Sequence, residues 1–284
     1  MRETVEHSLT LEMELRQAVI MDTFEIYYQP IVHLNTGMIA GFEALIRWFH
    51  PHQGMISPLR FIPVAEDTGL ILQIGEWVFS ESCQRLKCWQ DAGLLSPDTF
   101  ISVNLSVKQF SETRLLQHID QVLANTGLSP HNLKIEITES ILVTNQELAE
   151  YIIDELRNRE IKISLDDFGT GYSALNYLKN FPVDMLKIDR SFIEEINTNS
   201  KALGIVKSII TLANSFDIPV ICEGIETPEQ EQQLRYLNCQ FGQGFLFMKP
   251  LSAEELEQYL RAWKLLATAN VPFARTGGAN PSRS

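Results

Sequence analysis

IKISLDDFGTGYSALNYLKNFPVDMLKID, residues 161–189, decides the fold. Two short runs rich in Ile and Leu, 161–166 and 184–188, flank a stretch with helical character at 172–180. Strands separated by a helix do not close as a hairpin. The crossover brings them parallel and is right-handed. The first run ends in Asp166-Asp167 and the second carries Lys187, so both place charge at or near a strand end. The glycines that follow, Gly169 and Gly171, permit tight backbone geometry and predict a mobile loop.

The same alternation extends in both directions. Strands are predicted at 100–105, 133–138, 218–223 and 243–247. Helices are predicted at 59–67, 70–92, 107–126, 145–159, 200–216 and 228–237. Upstream, EIYYQPIVHL and GMIAGFEALIRWF are joined by Asn35-Thr36-Gly37, a turn suited to a hairpin. Counting that pair gives enough strands for a modified TIM-type (β/α)8 barrel of the α/β class, with one antiparallel strand near the N-terminus. An open doubly wound sheet is the competing architecture. Residues 8–22 carry Leu9, Leu11, Met13, Leu15, Val19 and Ile20 at amphipathic helical spacing. We therefore divide the chain into a linker or lead-in helix at 1–22, a barrel at 23–268 and a disordered, Gly/Pro-rich tail at 269–284.

With 284 residues, 45% of them hydrophobic, the chain has the core of an ordinary globular protein. A net charge of −13 argues against a protein that grips duplex nucleic acid by its phosphates. Cys83, Cys88, Cys222 and Cys239 have no paired spacing and read as reduced thiols, neither disulfides nor zinc ligands. No signal peptide opens the chain and no apolar run is long enough to span a membrane. The expected location is the cytoplasm, with a membrane-anchored parent protein still allowed.

Five of the predicted strands end in a carboxylate or carboxamide: Glu43, Asn104, Glu136, the Asp166-Asp167 pair and Glu223. An unpaired carboxylate costs several kcal/mol to bury. Acids repeated at the ends of apolar strands therefore call for divalent cations, and Asp, Glu and Asn oxygens suit magnesium and manganese. Barrel enzymes assemble their sites at the carboxyl ends of the strands. Asp166 could bridge two cations while Asp167 holds the second. Lys187 is read either as an orienting group for a metal-bound hydroxide or as a structural ion pair with Asp189 or another acid. Glu139 either anchors the loop after Asp167 or lies on solvent at a helix start. His50-Pro51-His52 reads as a turn. There is no GxSxG elbow, Walker loop or GxGxxG signature.

GFEALIRW, with Glu43-Ala44-Leu45, resembles the signature of the EAL-domain cyclic di-GMP phosphodiesterases. The resemblance runs from YYQPIV at 27–32 to QGFLFMKP at 243–250, through FIPVAEDTGLI, VNLS, IEITES, DDFGTGYSAL, LKIDRSFI and EGIET. It implies a modified barrel that hydrolyses cyclic di-GMP to linear pGpG with two Mg2+ or Mn2+ ions. Ca2+, larger and more loosely held, is expected to inhibit. By the same resemblance Glu43, Asn104, Glu136 and Asp166 hold one cation, and Asp166, Asp167 and Glu223 the other. Lys187 contacts the attacking water and joins Glu43, Asp166 and Glu223 as the catalytic set. Glu139 fixes the loop, while Gln29, Arg47, Asp167, Glu226 and Gln243 lie near the substrate. Cys222 and Phe245 depart from the Ala and Tyr common at their positions, and neither removes a ligand. Other implied features are a homodimer through helices flanking the 166–175 loop and room for an upstream sensory or GGDEF-type domain. The alternative is a non-catalytic cyclic di-GMP receptor or interaction scaffold.

Overall fold

The structure, a computed structural model, describes residues 2–21, 23–169, 178 and 180–267. Most of the expected helix at 172–180, most of the loop after Asp167 and the tail at 269–284 lie outside the described residues.

Strand β1 (Phe24–His33) runs antiparallel to β2 (Ile39–His50), with the turn between them at residues 34–38. The chain then lays down β3 (Gly54–Ile56), β4 (Phe100–Asn104), β5 (Leu133–Thr138), β6 (Lys162–Phe168), β7 (Met185–Ile188), β8 (Val220–Cys222), β9 (Phe241–Gly242) and β10 (Leu251–Ser252). From β2 through β4, β5, β6, β7, β8 and β9 each neighbour is parallel, and β9 pairs with β1 to close the ring. The result is an eight-stranded barrel with a single reversed strand. Closure through β1 rules out the open sheet. The short strands β3 and β10 extend the ring at β2 and β1 and were not foreseen.

Alternation along each strand sorts side chains into two cores. The larger lies between the barrel and its helices, which include Pro58–Thr68, Leu70–Asp91, Leu115–Thr126, Gln146–Asn158 and Ser200–Ser215. In it Trp89 packs edge-on against Tyr28 with ring centres 4.9 Å apart. The smaller core fills the barrel itself with Ile31, Ala40, Phe100, Met185 and Ile221. Lys134 is buried there too, its Nζ 3.5 Å from the centre of the Phe100 ring and 3.5 Å from Met185 Sδ.

Two expected boundaries move. The helix foreseen across 107–126 is interrupted: Val107–Phe110 is capped by a reciprocal Ser106–Gln109 box, and a second helix starts at Leu115. The strand expected at 243–247 lies earlier, at Phe241–Gly242. Past Gly242 the chain turns back onto residue 225: Ile225 N donates to Gln243 O at 3.1 Å, and Leu246 N donates to Ile225 O at 3.0 Å. A side chain at Gly244 would strike the Ile225 backbone, its Cβ 2.1 Å from Ile225 O. That contact diverts residues 243–247 from the ladder.

Candidate active site

The parallel strands deliver their polar ends to one rim. Register sets Gln29 beside Glu43 and Asn104 beside Glu136. Lys187, near the end of β7, points inward and is 1% exposed. Its Nζ lies 2.6 Å from Glu136 Oε2 and 2.6 Å from Glu223 Oε1. Asp166 Oδ1 follows at 3.4 Å and Glu43 Oε2 at 3.5 Å. Lys187 is thus ion-paired with acids other than Asp189, which instead caps the helix Arg190–Glu194 by accepting from Ser191 N.

The amides hold the acids in place. Asn104 Nδ2 donates to Glu43 Oε1 at 2.9 Å, and Gln243 Nε2 donates to Glu43 Oε2 at 2.7 Å. Gln243 Nε2 also reaches Gln29 Oε1 at 3.0 Å, and Gln29 Nε2 donates to Met248 O at 3.3 Å. Asp167 sits in the left-handed region with φ of 55°, where its amide donates to Asp166 Oδ1. This strained turn lies near the end of β6, where the register between β6 and β7 shifts. Glu139 opens the helix Glu139–Thr144 and accepts from Gly169 N at 3.3 Å. It thus occupies a helix start and tethers the loop at once.

One ammonium cannot neutralise this crowd. Burial works against the charge on Lys187, yet Asp166, Glu136, Glu223 and Glu43 overcome it and hold its pKa well above the ordinary lysine value. Burial would raise Glu43, but the Lys187 charge and the bonds from Gln243 and Asn104 hold it below its usual value. Burial drives Glu223 up to about 8, with Lys187 opposing and Asp166 and Glu43 adding. Burial raises Glu136 as well. Asp167 is raised by burial and then by Asp166.

The donor set fits divalent cations. Glu136 Oε1 is fully buried without a hydrogen-bond partner, and the surplus of carboxylates over ammonium demands more positive charge. Among the described residues no three acids already surround a common ligand point, because the carboxylates close in on Lys187, whose ammonium stands in for a cation.

Beside the acids opens a cleft of about 320 Å3, lined by Gln29, Glu43, Arg47, Glu223, Glu226 and Gln243. Every residue expected near the substrate except Asp167 therefore lines it. Burial lowers the pKa of Arg47, whose guanidinium lies 5.6 Å from the centre of the Tyr27 ring. The sequence reading missed Arg190 and Pro250, which line the same cleft. It noted Phe245 only as a departure. His50 and His52 form a turn, in which His50 Nδ1 accepts from the amides of His52 and Gln53. All four cysteines are free thiols, as expected. Among the described residues no helix is long and apolar enough to cross a membrane.

Comparison with known proteins agrees with this geometry. A family model described as the EAL domain matches residues 12–250. The bifunctional diguanylate cyclase/cyclic di-GMP phosphodiesterase MucR of Pseudomonas aeruginosa is 41% identical over 256 residues, which is 90% of this chain and 37% of MucR. The cyclic di-GMP phosphodiesterase NbdA of the same organism is 39% identical over 90% of this chain and 32% of its own length. The chain thus spans well under half the length of these curated relatives. A solved structure of the PaMucR phosphodiesterase in complex with c-di-GMP superposes with a TM-score of 0.83 at 42% identity, covering 87% of this chain and 99% of that one.

Proposed function

Because the chain belongs to the EAL-domain family, we propose that it hydrolyses cyclic di-GMP to linear pGpG with the help of divalent cations. The observation that carries this reading is the ring of four carboxylates within 3.5 Å of one buried ammonium, beside a cleft lined by Arg47. The unit that carries the activity is the barrel at 23–268.

Glu43, Asn104, Glu136, Asp166, Asp167 and Glu223 would hold two Mg2+ or Mn2+ ions, with Ca2+ inhibiting. When bound, the cations supply an acidified water and neutralise charge on the phosphate oxygens. The chain's own groups do the rest. The hydrogen bonds from Asn104 and Gln243 fix the Glu43 carboxylate in one orientation. Lys187 keeps its proton at neutral pH and presents N–H donors where water approaches phosphorus. In the displacement the water oxygen bonds to phosphorus, the P–O3′ bond breaks and the departing oxygen takes up a proton. Arg47 offers a planar fork to a phosphate oxygen pair. A homodimer through helices flanking the 166–175 loop belongs to the same reading, as does an upstream domain in a longer parent protein.

The test is incubation of the purified protein with cyclic di-GMP and Mn2+, followed by chromatography of the products. Linear pGpG that fails to form in the Glu43→Ala variant is the expected result. Binding without turnover at saturating Mn2+ would replace the enzyme by a receptor.

A further inference from the structure

We propose that Cys222 and Cys239 form a dithiol that hydrogen peroxide oxidises to a disulfide, and that this bond displaces Glu223 from behind. The second half rests on the divalent-cation reading above; the first does not. Cys222 is the last residue of β8, and Cys239 lies between the helix Pro228–Tyr236 and β9. Both are buried in the larger core, between the barrel and its helices. Their sulfurs stand 3.4 Å apart, although 17 positions separate them in the chain. Cys239 Sγ is also 3.2 Å from Phe241 O and 3.4 Å from Val220 O. A thiol has one proton to give. With that of Cys239 directed to a carbonyl, its sulfur accepts from the Cys222 thiol, so the two sulfurs face each other.

Packing accounts for one buried cysteine, since a free thiol behaves as a small hydrophobe. Two in sulfur-to-sulfur contact are also a redox couple. Each sulfur need move only about 0.7 Å to reach bonding distance. The other two thiols lack this option. Cys83 and Cys88 are five residues apart on the helix Leu70–Asp91, one buried and one exposed, and so lie on different faces.

The backbone around the pair leads to the rim. Alternation turns Cys222 to the outer core and Glu223 to Lys187, 2.6 Å away. Cys222 O accepts from Gln243 N at 2.9 Å, and Gln243 in turn orients Glu43. The turn at 239 is anchored separately: Gln240 Oε1 accepts from Val220 N at 3.0 Å, and Cys239 N donates to Leu234 O at 3.0 Å. Drawing the sulfurs together therefore moves the peptide that joins Cys222 to Glu223.

Access runs through Asn238, which is exposed and directly precedes Cys239. Local opening there admits a neutral, water-sized oxidant. The Cys239 sulfur bonds to one peroxide oxygen, the O–O bond breaks, and the other oxygen leaves as water with the thiol proton. The product is a sulfenic acid. The Cys222 sulfur then attacks the sulfenic sulfur and expels its hydroxyl, which takes the Cys222 proton and departs as a second water. Both sulfurs are oxidised and the peroxide is reduced.

The experiment treats the Cys88→Ser protein, which lacks the exposed thiol, with hydrogen peroxide. Peptide mapping by mass spectrometry should find Cys222 joined to Cys239, and dithiothreitol should separate them. Mn2+ binding, read by titration calorimetry, should weaken about tenfold in the oxidised protein, as when a group supporting a metal ligand is displaced. Adding Cys222→Ala should abolish both effects and leave Cys239 as a sulfenic acid that dimedone traps. Adding Cys239→Ala should leave Cys222 reduced. Circular dichroism verifies folding, and either variant that folds decides the pair. Thiols at 222 and 239 that stay reduced under peroxide sufficient to oxidise Cys88 fully in the wild type overturn the dithiol. A disulfide that leaves Mn2+ binding unchanged overturns its hold on Glu223. If the reduced protein binds no Mn2+, the divalent-cation reading fails, and the mapped disulfide still decides the pair.

Discussion

Two lysines are buried in one barrel, and their surroundings make them opposites. Lys187 stands at the rim among four carboxylates, which hold its proton firmly. Lys134 stands two residues before Glu136 on the same face of β5, about 6.6 Å lower. There it lies over the Phe100 ring and against Met185 Sδ. Burial, with Lys162 adding, lowers its pKa to about 7. The same ammonium is thus a fixed charge at one depth and a titrating group at the next. The lesson is that the counter-charges at the rim, not burial, set the two lysines apart.

Substitution at each position sharpens that contrast. Lys187→Met should cost about a thousandfold or more in kcat, read by product chromatography. It should also destabilise the metal-free protein by about 3–5 kcal/mol, because the carboxylates lose their buried counter-charge. Mn2+ should recover part of that stability but little of the rate. Lys134→Met should do the reverse, leaving turnover within about twofold while urea unfolding gains about 1–4 kcal/mol. A Lys134→Met protein as inactive as Lys187→Met would break the comparison.

Proton linkage gives a smaller, signed effect. Between pH 7 and 10.5 the unfolded chain binds a proton at Lys134 that the folded chain has released, so stability rises with pH across that window. As pH falls from 10.5 to 7 this contribution is lost, and Lys134→Met should flatten the slope, measured as urea midpoints across the range. Glu223 has the opposite sign. With its pKa raised to about 8, the folded metal-free protein keeps a proton that the unfolded chain has given up, so this stability is lost as pH rises from 4.5 to 8. A cation must displace that proton. The apparent Mn2+ affinity should therefore increase several-fold from about pH 6.5 to 8.5, followed by the metal-induced rise in Tm. A flat affinity would separate Glu223 from the metal site. The smallest effect expected is at Thr227, which caps the helix Pro228–Tyr236. Thr227→Ala should cost about 1 kcal/mol in thermal unfolding.

The rim was legible because each acid interrupts an apolar run at the strand end, and parallel crossovers bring all such ends to one side. The hairpin was legible from Asn35-Thr36-Gly37. Lys134 left a signal in LKIEIT, where it shares a face with Glu136, but nothing in that alternation tells an inward lysine from an outward one. Glu226 was placed near the substrate by the resemblance, but its meeting with Arg190 left no signal, since it depends on Gln230 and on the absence of a side chain at Gly224. The strand at 241–242 was displaced in the reading because the contact that diverts residues 243–247 comes from Ile225, far earlier in the chain.

The reversed strand β1 has a practical corollary. It descends from the mouth and turns at residues 34–38 before β2 climbs back, so Asn35 and Thr36 face solvent at the end remote from the acids. A fluorophore or affinity handle attached at that bend would follow the protein's tumbling without obstructing the cleft beside the acids.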